Sequence, residues 1–110
     1  DELVAECALV GIPDNITGEA LFGFVVLKNG ENINEPDLLK NINLSLRREI
    51  GPIIALKNIV IISELPKTRS GKIVRRILRT LAKGEKFSGD ITTVENKDIL
   101  QEISQKLLQK

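Results

Sequence analysis

Three short apolar, β-branched runs limit what this chain can become. Val4–Ile12, Ala20–Leu27 and Leu56–Ser63 each read as a strand, bounded by turn residues such as Gly11, Pro13 and the Asn29-Gly30 pair. Elsewhere the apolar residues recur at helical spacing. Leu38, Leu39, Ile42, Leu46 and Ile50 stripe a helix over Glu35–Ile50, which Gly51-Pro52 stops. Ile73, Val74, Ile77, Leu78 and Leu81 stripe a second, starting at Gly71 or Lys72, with Ser70 as its N-cap. Ile99, Leu100, Ile103, Leu107 and Leu108 stripe a third over Asp98–Leu108. The order strand, strand, helix, strand, helix, helix predicts a small α/β (α+β) domain in which helices pack on a short three-stranded sheet.

Composition narrows the chemistry. A chain of 110 residues makes one small domain, and with three phenylalanines as its only aromatics its core must be aliphatic. Phe87 is the lone anchor of the polar linker that follows Lys83-Gly84. The net charge of +1 gives no global field for nucleic acid or membrane, although basic residues crowd between Lys67 and Lys86. No apolar run is long enough to span a bilayer, and no signal peptide is visible. The single cysteine, Cys7, excludes an internal disulfide and favours a reducing compartment, the cytoplasm or, in a eukaryote, the mitochondrial matrix. Within the first strand it reads as a buried, inert thiol. The absence of histidine removes Ser-His-Asp and Cys-His catalysis and leaves carboxylates and one thiol as side-chain metal ligands. Any catalysis must run on lysine, arginine, carboxylate or backbone groups. The first residue, Asp1, is not Met and leads straight into a strand, as expected of a piece of a longer protein.

The densest chemistry lies in Leu65–Lys83, LPKTRSGKIVRRILRTLAK. Pro66 takes the chain out of the preceding strand, and Thr68, Ser70 and Gly71 form a tight loop. If the helix begins at Gly71 or Lys72, then Lys72 sits in its first turn, where a cation opposes the dipole at a cost of about 0.3–1 kcal/mol. A bound anion, held by Lys72, Arg69 and the helix amides, would compensate. Simple solvation of these charges is the alternative reading. The segment is not a phosphate-binding P-loop: Pro66 stands where that motif needs a glycine, and Ile73 where it needs Ser or Thr.

The string PKTRSGKI resembles the signature near the end of AMP-forming acyl-CoA synthetases of the adenylate-forming superfamily. LPKTRSGKIVRRILR is most similar to the short-chain members, the acetyl-CoA and propionyl-CoA synthetases. VAECALVGIPD, RREIGP and the tail from Gly89-Asp90 through TTVENKDILQEI resemble them as well, so the likeness runs along nearly the whole chain. It implies a compact C-terminal domain with a three-stranded core sheet, mobile against a large N-terminal domain that holds ATP and the acyl group.

The resemblance also implies a two-step ligation. A carboxylate attacks the α-phosphate of ATP to give acyl-adenylate and pyrophosphate, and the thiol of coenzyme A then displaces AMP. Lys72 matches the catalytic lysine of the first step, with Lys67 and Arg69 as supporting or surface charges. Lys72 is also, in the family, a target of reversible acetylation by protein acetyltransferases and deacetylases. Arg47, first of RREIGP, corresponds to an arginine that contacts the phosphates of coenzyme A; its pattern alone reads as a solvated helix end. Val4 matches one backbone position of a magnesium site. Two other readings stay open: a non-enzymatic module binding anions through the Arg69–Lys86 face, and an adenylation domain serving a carrier protein. The first lacks stacking aromatics on its basic helix, and the RREIGP match argues against the second.

Overall fold

In the computed structural model, which describes residues 3–14, 18–49, 51, 56–85 and 91–108, the expected element order appears in full. β1 (Val4–Asp14) and β2 (Gly18–Leu27) pair antiparallel; α1 (Glu35–Glu49) follows; β3 (Leu56–Ile61) then pairs parallel to β2. α2 (Arg75–Ala82) and α3 (Asp98–Leu108) complete the domain. The sheet order is β1-β2-β3, so β2 is the central strand. Ile50 and Phe87 lie outside the described residues.

The period of two along β2 splits the core into two layers. Phe22 and Phe24 point to one face, their rings 5.3 Å apart, and join Ala8, Val60, Ile77 and Ile103 under α2 and α3. Val25 points to the other face and packs with Leu56, Ile59 and Leu38 under α1. Gly23 lies on that second face with no room to spare: a Cβ there would stand 3.1 Å from Ile59 Cγ2 and 3.4 Å from Leu9 Cδ2. Truncating a fully buried residue such as Ile77 to alanine should cost about 2–5 kcal/mol.

Side chains from both helical layers fix β3. The Asn43 carboxamide accepts from the Leu56 N–H at 2.8 Å and donates to the Leu56 carbonyl at 3.2 Å. Glu35 accepts the Ile61 N–H and Lys106 donates to the Ile61 carbonyl, so the open edge of the strand is satisfied where it would otherwise attract another chain. At the end of β3, Glu102 accepts from both the amide and the hydroxyl of Ser63. Burial works to raise the Glu102 carboxyl, but these bonds and nearby Lys106 outweigh it and hold the group below the usual carboxylate range.

Two expectations change. Cys7 is exposed, not buried. α1 packs over β3, which leaves this stretch of the edge strand β1 uncovered on the same side. Partial desolvation still raises the thiol pKa, against the pull of Arg75, so the cysteine remains a poor nucleophile. The second helix starts at Arg75 and not at Gly71 or Lys72, and no side chain caps it.

Candidate functional site

The Leu65–Val74 segment is a small hairpin, and its hydrogen bonds explain the shorter helix. Leu65 and Pro66 are buried and root it in the core. Lys67 and Ile73 bridge antiparallel, and the Val74 N–H reaches the Pro66 carbonyl at 3.0 Å. The Thr68 N–H donates to the Lys72 carbonyl at 2.8 Å, and the Gly71 N–H to the Thr68 carbonyl at 2.9 Å. Gly71 has φ +90°. This is a three-residue hairpin loop that closes on a left-handed glycine. A left-handed residue cannot begin an α-helix, so the helical spacing of Ile73 and Val74 with Ile77 is met by a strand running into a helix. Ser70 does not cap α2; its hydroxyl lies 3.0 Å from the Thr68 hydroxyl, which itself accepts the Lys72 N–H.

Lys72 is therefore at a hairpin end, three residues ahead of α2, and the anion cradle of helix amides expected around it is not built. The cations in the first turn of α2 are Arg75 and Arg76. Arg75 is compensated by a backbone carbonyl: its Nη1 donates to Leu9 O at 2.6 Å, tying α2 to β1. The broken dipole rule thus has a structural answer that sequence spacing could not supply.

The hairpin treats its two lysines differently. Lys67 Nζ pairs with Glu6 of β1 in a half-buried ion pair. Lys72 is exposed, and among the described residues no carboxylate pairs with it. Arg69 is almost fully exposed and stands 3.7 Å from Glu95, a pair of little energetic weight. So one amine is locked, and one is presented to solvent on a rooted support.

Arg47 lies elsewhere, exposed in the last turn of α1. Positive charge there suits the helix dipole. The turn is closed by Gly51, whose N–H reaches the Leu46 carbonyl at 3.2 Å and whose φ of +125° only glycine adopts without strain. Val4 opens β1 opposite Leu27, beside an irregularity in the register. A hard divalent cation needs about six oxygens. Among the described residues no three Asp, Glu, His or Cys side chains cluster to supply them, and Val4 offers one carbonyl. These residues alone do not fit a magnesium site. Among them, too, no helix is long and apolar enough to cross a membrane.

The pattern of the AMP-binding enzyme C-terminal domain matches residues 1–72, a span that closes on Lys72. The chain belongs to this family. Acetyl-coenzyme A synthetase from Helicobacter pylori strain G27 is 50% identical over 105 residues, covering 93% of this chain and 16% of that protein. Acetyl-coenzyme A synthetase 1 from Kluyveromyces lactis is 44% identical over 110 residues, with 94% and 16% covered. The domain thus spans about a sixth of the length of the curated relatives it matches. Among solved structures, a Brucella canis acyl-CoA synthetase superposes with a TM-score of 0.67 at 35% identity, over 73% of this chain and 15% of that one. Acetoacetyl-CoA synthetase from Streptomyces lividans covers 99% of this chain and 16% of its own with a TM-score of 0.73 at 17% identity, a likeness of fold alone.

Sequence reasoning missed the groups that hold the hairpin: Glu6, Asn96 and the Glu95 amide. Asn96 lies 29 residues from the Lys67 amide it binds. Its place just before a helix was legible, but a partner so far along the chain left no local signal.

Proposed function

We propose that this domain serves an AMP-forming short-chain acyl-CoA synthetase, with acetate as the favoured acid and propionate as the alternative. ATP, coenzyme A and the carboxylate are the substrates, and the domain's partner is a large N-terminal domain of the same protein. Its relatives named acetyl-coenzyme A synthetase support this reading. The observation that carries it is the contrast between Lys67, paired with Glu6, and Lys72, exposed and, among the described residues, without an acid partner.

In the first half-reaction a carboxylate must approach the triphosphate of ATP, and charge develops on the oxygen bridging to pyrophosphate. A cation between the two anions lowers both costs, and it stabilises the transition state more than the ground state. Lys72 supplies that cation. Lysine suits the task as a compact charge on a long stem. In the second half-reaction the amine has no charge to neutralise, and the thiol of coenzyme A attacks the acyl carbon with AMP leaving. Arg47, on the last turn of α1, binds the phosphates of coenzyme A in that step. Rotation of the domain between steps would present first the hairpin and then the α1 end. Acetylation of Lys72 removes its charge and stops the first step, which makes acetyltransferases and deacetylases its regulatory partners. Val4 contributes at most one carbonyl to a magnesium site completed outside these residues, and no step here depends on it.

The test is Lys72→Ala in the full-length protein, with each half-reaction assayed separately. Loss of acyl-adenylate formation with thioester formation from supplied acyl-adenylate retained is the expected result. Equal loss of both, or of neither, removes Lys72 from the role.

A further inference from the structure

We propose that Asn96 is a positioning residue for adenylation, and that the Val94–Asn96 stretch ahead of α3 therefore works as part of the first-step machinery. This rests on the role given to Lys72. The family pattern ends at residue 72, and Asn96 lies beyond it.

The Asn96 side chain grips the root of the hairpin at two points. Its Oδ1 accepts the Lys67 N–H at 3.0 Å, and its Nδ2 donates to the Leu65 carbonyl at 2.9 Å. A third bond runs from the Glu95 N–H to the Lys67 carbonyl at 2.7 Å. A planar carboxamide is suited to this, because it offers a donor and an acceptor side by side to one extended strand. The grip is itself anchored. Val94 is buried, and the Asn96 carbonyl accepts the Ile99 N–H at 3.1 Å as α3 begins.

The geometry transmits to Lys72. Lys67 bridges Ile73 across the hairpin, and Ile73 is the next residue after Lys72. The Lys72 carbonyl is held by Thr68, which adjoins Lys67. Displacing the Leu65–Lys67 strand therefore carries the backbone of Lys72 with it. A shift of about 1 Å in a charge that must meet a transition state can cost about a hundredfold in rate. Coenzyme A transfer does not use this amine, so it should not register the shift.

The experiment uses the full-length enzyme carrying Asn96→Ala, with Lys72→Ala as reference. Asn96→Ala should lower acyl-adenylate formation about 10- to 100-fold and leave thioester formation from supplied acyl-adenylate within about twofold. Asn96→Asp keeps the acceptor for the Lys67 amide and should recover part of the loss. Adding Asn96→Ala to Lys72→Ala should cause little further loss, since both act through one amine. Should Asn96→Ala fail to fold, Asn96→Ser, a milder polar truncation, carries the same expectations. If both half-reactions fall together, Asn96 is only a structural tie; if neither falls, the hairpin needs no such support. Either result overturns the proposal. If Lys72→Ala leaves adenylation intact, the Lys72 reading fails first, and the reference variant reveals it.

Discussion

The hairpin that carries Lys72 and the last turn of α1 that carries Arg47 are both exposed and cationic, yet they are built to different standards. The hairpin is rooted by buried Leu65 and Pro66, tied to β1 by the Lys67–Glu6 pair, and gripped by Asn96 and the Glu95 amide. Arg47 rides on a helix that Asn43 and Leu46 hold against β3, but among the described residues no hydrogen bond from another element grips its own last turn. The contrast matches the chemistry proposed for each. A cation that stabilises a transition state must stand at a set place, whereas an arginine that attracts phosphates needs mainly to be near them.

The largest expected effect separates the two lysines of the hairpin. Lys72→Gln, which removes charge as acetylation would, should lower adenylation about 100- to 1,000-fold, the worth of one preorganised electrostatic group. Lys67→Ala, which breaks only the tie to Glu6, should lower it about tenfold or less. Reversed magnitudes in a pyrophosphate-exchange assay would hand the role to Lys67.

Arg47→Ala comes next. It should raise the KM for coenzyme A about tenfold, about the worth of one hydrogen bond to a charged group, and leave adenylation unchanged. A smaller, matched pair tests the two turns. Nothing lies within 4 Å of a Cβ added at Gly71 or Gly51, so alanine strains the backbone alone. Each should cost about 1–2 kcal/mol. Gly71→Ala should slow adenylation severalfold and Gly51→Ala should weaken coenzyme A binding, as read by initial rates in each half-reaction.

The smallest effect is a control remote from both sites. The Glu102 carboxyl is held below its ordinary range when folded, so it contributes stability above the unfolded carboxylate pKa and loses it as pH falls through the folded value. Glu102→Gln should lower Tm by about 4 °C at neutral pH. The difference from the native protein should shrink in acid. Both half-reactions should keep their rates below the melting range.

Much of this was legible in the sequence because it is local. Period-two and helical apolar patterns gave all six elements, and Asp98–Leu108 is bounded as expected. β1 and β2 each run two residues longer than their apolar runs, since sheet pairing continues through polar ends such as Asp14–Gly18, and β3 stops two residues short at Ile61. What escaped depends on contacts between distant residues. The start of α2 was misplaced because Ile73 and Val74 fit a helical stripe as well as a strand end, and only the Lys67–Ile73 bridge decides between them. Cys7 was misjudged because the side of β1 left uncovered depends on where α1 lands. At the site, the motif singled out Lys72, but its difference from Lys67 needed Glu6, 61 residues away.

The account stands on one division of labour, a lysine on a clasped hairpin for the first step and an arginine at a helix end for the second. The direct measurement is the ratio of adenylation rate to thioester-forming rate in the full-length enzyme, for Lys72→Ala and Arg47→Ala side by side. The ratio should fall by at least about a hundredfold in the lysine variant and rise in the arginine variant. Ratios that move in the same direction, or do not move, would contradict it.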